Sequence, residues 1–170
     1  MNDIRGDRAA AVIDAAISGE EPEPGTPMLE LEDFLPYRLS VLSNTVSGAI
    51  AGAYSERFGL SIPEWRVLAV LGQIPDISAK QVTMRTAMDK VRVSRAVALL
   101  VKKGRIERRT HPEDRRYSIL RHSAAGAAIY ERIVPLARAY ERKLLSILTV
   151  NERKTLDRLL AKLKIAADDL

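Results

Sequence analysis

The 170-residue sequence predicts a mainly α fold with a small β-hairpin. Three observations carry that reading. Apolar residues recur at steps of three and four over long stretches, the period of an amphipathic helix. Boxes of the form Ser/Thr-x-x-Glu/Gln stand at Ser61, Ser78 and Thr149, each opening such a stretch. After Gly104 the period shortens to the alternation of strands, around the loop "HPEDRR".

The elements follow in order. Residues 1–29 read as a tail, in which "DRAAAVIDAAI" has the content of a short helix and "SGEEPEPGTP" breaks it with three prolines and two glycines. Leu35, Leu39, Leu42, Val46, Ile50 and Ala53 line one face of a long helix that stops at Gly59. "SIPE" opens a helix from Ser61 to about Leu71, and "SAKQ" opens a short one from Ser78 to about Arg85. Asp89 caps "KVRVSRAVALLVKK", which ends at Gly104. Within it, Val93, Val97, Leu100 and Val101 are expected to pack inward. "IERRT" and "YSIL" are strand candidates. Ser123 caps a long helix with Ile129, Ile133, Leu136, Tyr140, Leu144 and Leu148 on one side, and Pro135 should bend it. "TVNE" opens a last helix carrying Leu156, Leu159, Leu160 and Leu163.

Three short helices followed by a two-stranded wing make a winged helix-turn-helix. The long helices at either side have more apolar stripe than so small a module can cover. They are expected to pack on each other and on a second copy of the chain. The expected division is a tail over 1–29, a helical dimerisation region over 30–58 and 123–170, and a winged helix-turn-helix over 59–122.

Composition bounds the function. With 46% hydrophobic and 29% charged residues the chain can bury a core, and at 5% aromatics that core must be largely aliphatic. There is no cysteine, hence no disulfide and no thiolate metal site, which suits a reducing cytoplasm. The first residues are too often interrupted by charge for a signal peptide. No apolar run approaches the ~18 residues of a membrane span. His111 and His122 lack the neighbours of a zinc site. Neither a phosphate-binding glycine loop nor a nucleophile motif is present, so no enzyme and no cofactor is expected.

Net charge is +5, and its distribution is uneven. Between Lys80 and Arg121 thirteen Lys/Arg face four Asp/Glu, an excess of nine positive charges, while the rest of the chain is mildly acidic. That asymmetry is the electrostatic footprint expected of a nucleic-acid-binding module, and double-stranded DNA is the expected partner. In a helix-turn-helix the second helix enters the major groove. Here it offers Lys90, Arg92, Ser94 and Arg95 opposite its apolar face, with Lys80 on the preceding helix. Arginine can pair bidentately with guanine, and serine can bond a base edge or a phosphate. Arg115 and Arg116 at the hairpin tip suit a narrow minor groove. The plainer alternative is a charged edge that protects the strands from mispairing.

"MDKVRVSRAVALLVKKGRIERRTHPEDRRYSILRHSAAG", from Met88 to Gly126, resembles the recognition helix and wing of the MarR (multiple antibiotic resistance regulator) family. Val93, Ser94, Arg95, Gly104, Arg108, Asp114, Arg116 and Gly126 fall where that pattern has them, and "SIPEWRVLAVL" resembles the family's preceding helix. Two positions depart: Arg105 replaces a hydrophobic residue, and His122-Ser123 replaces Leu-Thr. The resemblance implies a homodimer on a pseudo-palindromic operator, repressing genes until a small aromatic effector binds. "PEWRVLAVL" is similar to members that answer to hydroxycinnamoyl-CoA thioesters, so the expected effector is an aromatic acid or its acyl-CoA. Arg38, Asn44, Trp65 and Arg66 are the candidate ligand residues, with core packing the competing role of Trp65 and surface ion pairing that of Arg38. An architectural DNA-binding protein without effector control, and a helical protein-interaction module, are the alternatives.

Overall fold

The computed structural model describes residues 28–110 and 117–169. Among them the order is α1 (Leu35–Phe58), α2 (Ile62–Gln73), α3 (Ala79–Thr86), α4 (Lys90–Lys102), β1 (Ile106–Thr110), β2 (Ser118–His122), α5 (Ala124–Leu145) and α6 (Val150–Asp169). The chain divides into two compact units. One holds residues 36–142, and the other holds, of the described residues, 28–35 and 143–169.

The expected caps form. Ser61 Oγ accepts from the Glu64 amide while Glu64 bonds back to the Ser61 amide, and Pro63 lies in the first turn, where no amide proton is missed. Ser78 and Gln81 repeat the box on α3. Asp89 Oδ1 accepts from the Arg92 amide at 2.7 Å and starts α4. Thr149 and Glu152 complete a third box on α6. Ser123 Oγ accepts from the Gly126 amide and starts α5, which runs unbroken past Pro135.

At the end of α4 the Arg105 amide donates to Leu100 and the Gly104 amide donates to Val101, with Gly104 at φ +64°. This is the Schellman pattern, whose left-handed residue favours glycine. That motif is usually closed by an apolar contact from the residue after the glycine. Arg105 occupies that position, half-buried and with one guanidinium nitrogen buried without a hydrogen-bond partner among the described residues. Gly126 completes the junction: a Cβ there would overlap the Arg105 carbonyl.

β1 and β2 pair antiparallel with Ile106 opposite His122 and Thr110 opposite Ser118. The second strand therefore lies further along than "YSIL" suggested, because Arg121 and His122 continue the ladder. A bridge from Ile77 to Leu120 adds the α2–α3 loop to the hairpin's edge.

The core belongs to the 36–142 unit. Tyr54, Val67, Leu68, Val82, Val97, Leu100, Leu120 and Ile133 are fully buried and contiguous. On α4 the buried residues are Val93, Ala96, Val97 and Leu100. Val101, expected inside, is exposed, since it falls at the edge of the arc those four define and Ala96 takes the inward position. In α6 no residue is buried.

Candidate nucleic-acid interface and effector cleft

The outward arc of α4 is set by its inward one. Because Val93, Ala96, Val97 and Leu100 hold the helix against the core, Lys90, Val91, Arg92, Ser94 and Arg95 all face solvent. Lys80 is exposed in the first turn of α3. Arg92 lies 3.3 Å from Asp89 in an exposed pair, a contact weak enough for a phosphate to displace. Lys80, Lys90 and Arg95 make no ion pair among the described residues. Arg115 and Arg116 lie outside the described residues, in the segment that joins β1 to β2.

Three other cations of the basic segment make contacts within the chain. Lys103 Nζ donates to Glu64 Oε1 at 2.6 Å and to the Gly59 carbonyl at 2.9 Å. Glu64 is only 2% exposed. Burial would push its carboxyl up, but the hydrogen bonds from Lys103 and Ser61 outweigh this and hold it below the ordinary glutamate range. Arg121 grips Asp76 with two nitrogens, and its hydrogen bonds keep the Asp76 carboxyl low. Asp76 sits at φ +61°, a conformation that short polar side chains tolerate. The wing base is thus tied to the α2–α3 loop by a guanidinium clamp as well as by the backbone bridge. Arg109 pairs with Glu107 on the same strand. These attachments were not anticipated from sequence.

His122, which departs from the family's leucine, is bonded and packed in place. Its Nε2 lies 2.8 Å from the Leu68 carbonyl, and its ring packs on Tyr130 at 5.3 Å. Burial pushes the imidazole pKa down and the bond to Leu68 opposes it, leaving it below the ordinary value. Tyr130 in turn stacks on Trp65 at 6.0 Å, and Trp65 meets Tyr54 at 5.7 Å. The four rings run as a chain through the 36–142 unit.

The candidate ligand residues separate into two groups. Trp65 and Arg66 line one open cleft of about 230 Å³ with Ala69, Val70, Gln73, Arg85 and Thr86. Arg66 also donates to Ser47 Oγ at 3.4 Å. Arg38 and Asn44 are exposed on α1 and do not join that lining. Arg85 is the member that sequence reasoning missed. It sits two turns into a short helix, where nothing in the periodicity marks it. A larger cleft of about 410 Å³ includes Arg121, His122, Tyr130 and Glu131. Its arginine is already neutralised by Asp76 and its glutamate is exposed, so it suits an anion less well.

An arc of exposed cations on the second helix of a helix-turn-helix, with a wing clamped beside it, has known counterparts. The model of the MarR family matches residues 58–116. The HTH-type transcriptional regulator BilQ of Clostridium symbiosum is 31% identical over 108 residues, which span 64% of this chain and 75% of that protein. The chain belongs to the MarR family. Solved structures of MarR regulators agree. A MarR/EmrR family regulator from Acinetobacter sp. ADP1 matches with TM-score 0.77 and 29% identity over 84% of this chain and 100% of that one. A variant of E. coli MarR complexed with operator DNA matches with TM-score 0.69 and 25% identity over 80% of this chain and 99% of that one. As a MarR-family member, the chain is a DNA-binding transcriptional regulator of winged-helix fold. None of its described helices is long and apolar enough to cross a membrane.

Proposed function

We propose that this regulator is a repressor that binds a pseudo-palindromic operator as a homodimer and is released by a small aromatic acid. The observation that carries the DNA reading is the exposed arc of Lys90, Arg92, Ser94 and Arg95 on α4. Lys80 adds a phosphate contact, and Arg115 and Arg116 grip the minor groove. Two copies place two such helices on half-sites one helical turn apart, ~34–36 Å. The second copy covers the apolar residues that α1 and α6 leave in solvent, Leu39, Leu42, Leu156 and Leu160 among them. The E. coli relative bound to operator DNA supports the mode of engagement.

The effector site is the cleft of Trp65, Arg66 and Arg85. An indole ring with two guanidinium groups in one lining suits a planar ring bearing a carboxylate. The cleft is smaller than the roughly 300–1,000 Å³ that encloses a drug-sized ligand, so it matches a single-ring acid better than a whole CoA thioester. Bound there, against both α2 and α3, the acid favours a half-site spacing that the operator does not fit, and the repressor population shifts off DNA.

The test is a gel shift on the DNA upstream of the protein's own gene, against random DNA, across a salt series. Arg95→Ala should cost about 1–3 kcal/mol at one base position, and Arg116→Ala should weaken all sequences alike and flatten the salt slope. Aromatic acids should release the complex, and Arg85→Ala should remove that response. Equal affinity for operator and random DNA at every salt concentration would establish an architectural protein instead.

A further inference from the structure

We propose that Val91 is a specificity-determining residue that packs its methyl groups on the C5-methyl of a thymine in each half-site. This rests on α4 being the helix that reads the major groove. At roughly 100° per residue, Val91 stands in the middle of the outward arc, between Lys90 and Arg92. Ser94 and Arg95 flank it one turn later. It is 57% exposed, and it is the sole exposed apolar residue in the first two turns of α4, where Val93, Ala96 and Val97 are all buried. Leu99 and Val101 are exposed as well, but in the later turns that point away from the groove floor.

Two features make Val91 a defined surface. Asp89 fixes the first turn through its bond to the Arg92 amide. A β-branched side chain inside a helix keeps essentially one rotamer, so the two methyl groups project in a set direction. Among the four bases only thymine presents a methyl group in the major groove. A fixed apolar knob ringed by cations and a hydroxyl therefore discriminates thymine, while Arg95 beside it is suited to guanine. Lysine in its place would favour guanine, and serine would bond several base edges.

The experiment selects preferred sites from random duplexes with the intact protein. Fluorescence anisotropy then measures affinity as each thymine is replaced singly by deoxyuridine, which removes the methyl and nothing else. One thymine per half-site should weaken binding about four-fold on losing its methyl, the equivalent of unburying one methyl group. With Val91→Ala that sensitivity should fall to near unity, and with Val91→Thr, which keeps one methyl, part of it should remain. Circular dichroism verifies that both variants keep their helices. If no deoxyuridine weakens the wild type, or if Val91→Ala keeps the full four-fold effect, the assignment is wrong. Recovery of no preferred sequence at all overturns it together with the reading of α4. Retained selection with uniform tolerance of deoxyuridine overturns Val91 alone.

Discussion

The 36–142 unit and helix α6 spend the same residue type in opposite ways. Leu68, Leu100 and Leu120 are each 0% exposed inside the unit, whereas Leu156, Leu159, Leu160 and Leu163 on α6 are 38–46% exposed. Both sets follow helical or strand periodicity, and neither is out of pattern. The difference teaches that one part of the chain completes its own core and the other leaves a periodic apolar stripe in solvent. Marginal stability makes such a stripe costly to leave in water, at about 0.6–1.4 kcal/mol for each leucine, the share of a full burial that its remaining exposure represents. In the homodimer reading, the second copy recovers that energy.

The largest expected effect breaks or sharpens this contrast directly. Leu68→Ala leaves a cavity in a packed core and should cost about 2–5 kcal/mol, seen as a drop in the chemical-denaturation midpoint relative to wild type that is the same at every protein concentration. Leu160→Ala should act differently. Dimer stability depends on protomer concentration, so this variant should lower the melting temperature mainly in dilute samples and should raise the monomer fraction in analytical ultracentrifugation. If both variants lose stability equally at every concentration, the stripe on α6 is covered within one chain and the contrast disappears.

The same contrast governs what could be read from sequence. Helix boundaries were legible because their signals are local: Ser61, Ser78, Asp89 and Thr149 each act on an amide three residues away. Gly104 was legible because its left-handed conformation favours one residue type. Partners distant in sequence were not. Arg121 and Asp76 are 45 positions apart, and Lys103 and Glu64 are 39 apart, so both cations looked like part of one DNA-facing field. In the fold they are structural ties, and among the described residues the cations of that segment without an ion pair lie mainly on α3 and α4. Val101 was misplaced because a periodic stripe has edges that only packing resolves. For the cleft, the indole and guanidinium chemistry suggested Trp65 and Arg66, but spacing said nothing of Arg85, and it drew in Arg38 and Asn44, which the cleft does not include.

A second, smaller effect probes the ties themselves. Lys103→Met leaves the buried Glu64 carboxylate with Ser61 as its remaining side-chain donor, and it should destabilise the 36–142 unit by about 1–3 kcal/mol at neutral pH. The pH dependence has a definite sign. Glu64 has a folded-state pKa below its unfolded value, so its stabilisation is present above the ordinary value of 4.5 and is lost as pH falls through the folded value. Urea midpoints of the wild type should therefore drop as the solution is acidified below 4.5, and the Lys103→Met variant should show a shallower drop because less is left to lose. A parallel pair of curves would show that Lys103 does not set the Glu64 shift.

The smallest effect compares two copies of one device. Ser61-Glu64 and Thr149-Glu152 are both capping boxes with near-identical geometry, the carboxylate accepting from the cap amide at 2.9 and 2.7 Å. Their settings differ. Glu64 is buried and held also by Lys103, so removing the Ser61 hydroxyl strips a donor from a carboxylate that water cannot reach. Ser61→Ala should cost ~1 kcal/mol or somewhat more. Glu152 is exposed, so water replaces the lost hydroxyl, and Thr149→Ala should fray the first turn of α6 with a smaller loss of stability. Hydrogen exchange separates the two: Ser61→Ala should speed exchange throughout α2, because that helix is part of the cooperative core, while Thr149→Ala should speed it only over the first amides of α6. Equal, helix-wide acceleration in both would mean that α6 is as firmly built into a core as α2, and the division between a self-sufficient unit and an uncovered helix would have to be redrawn.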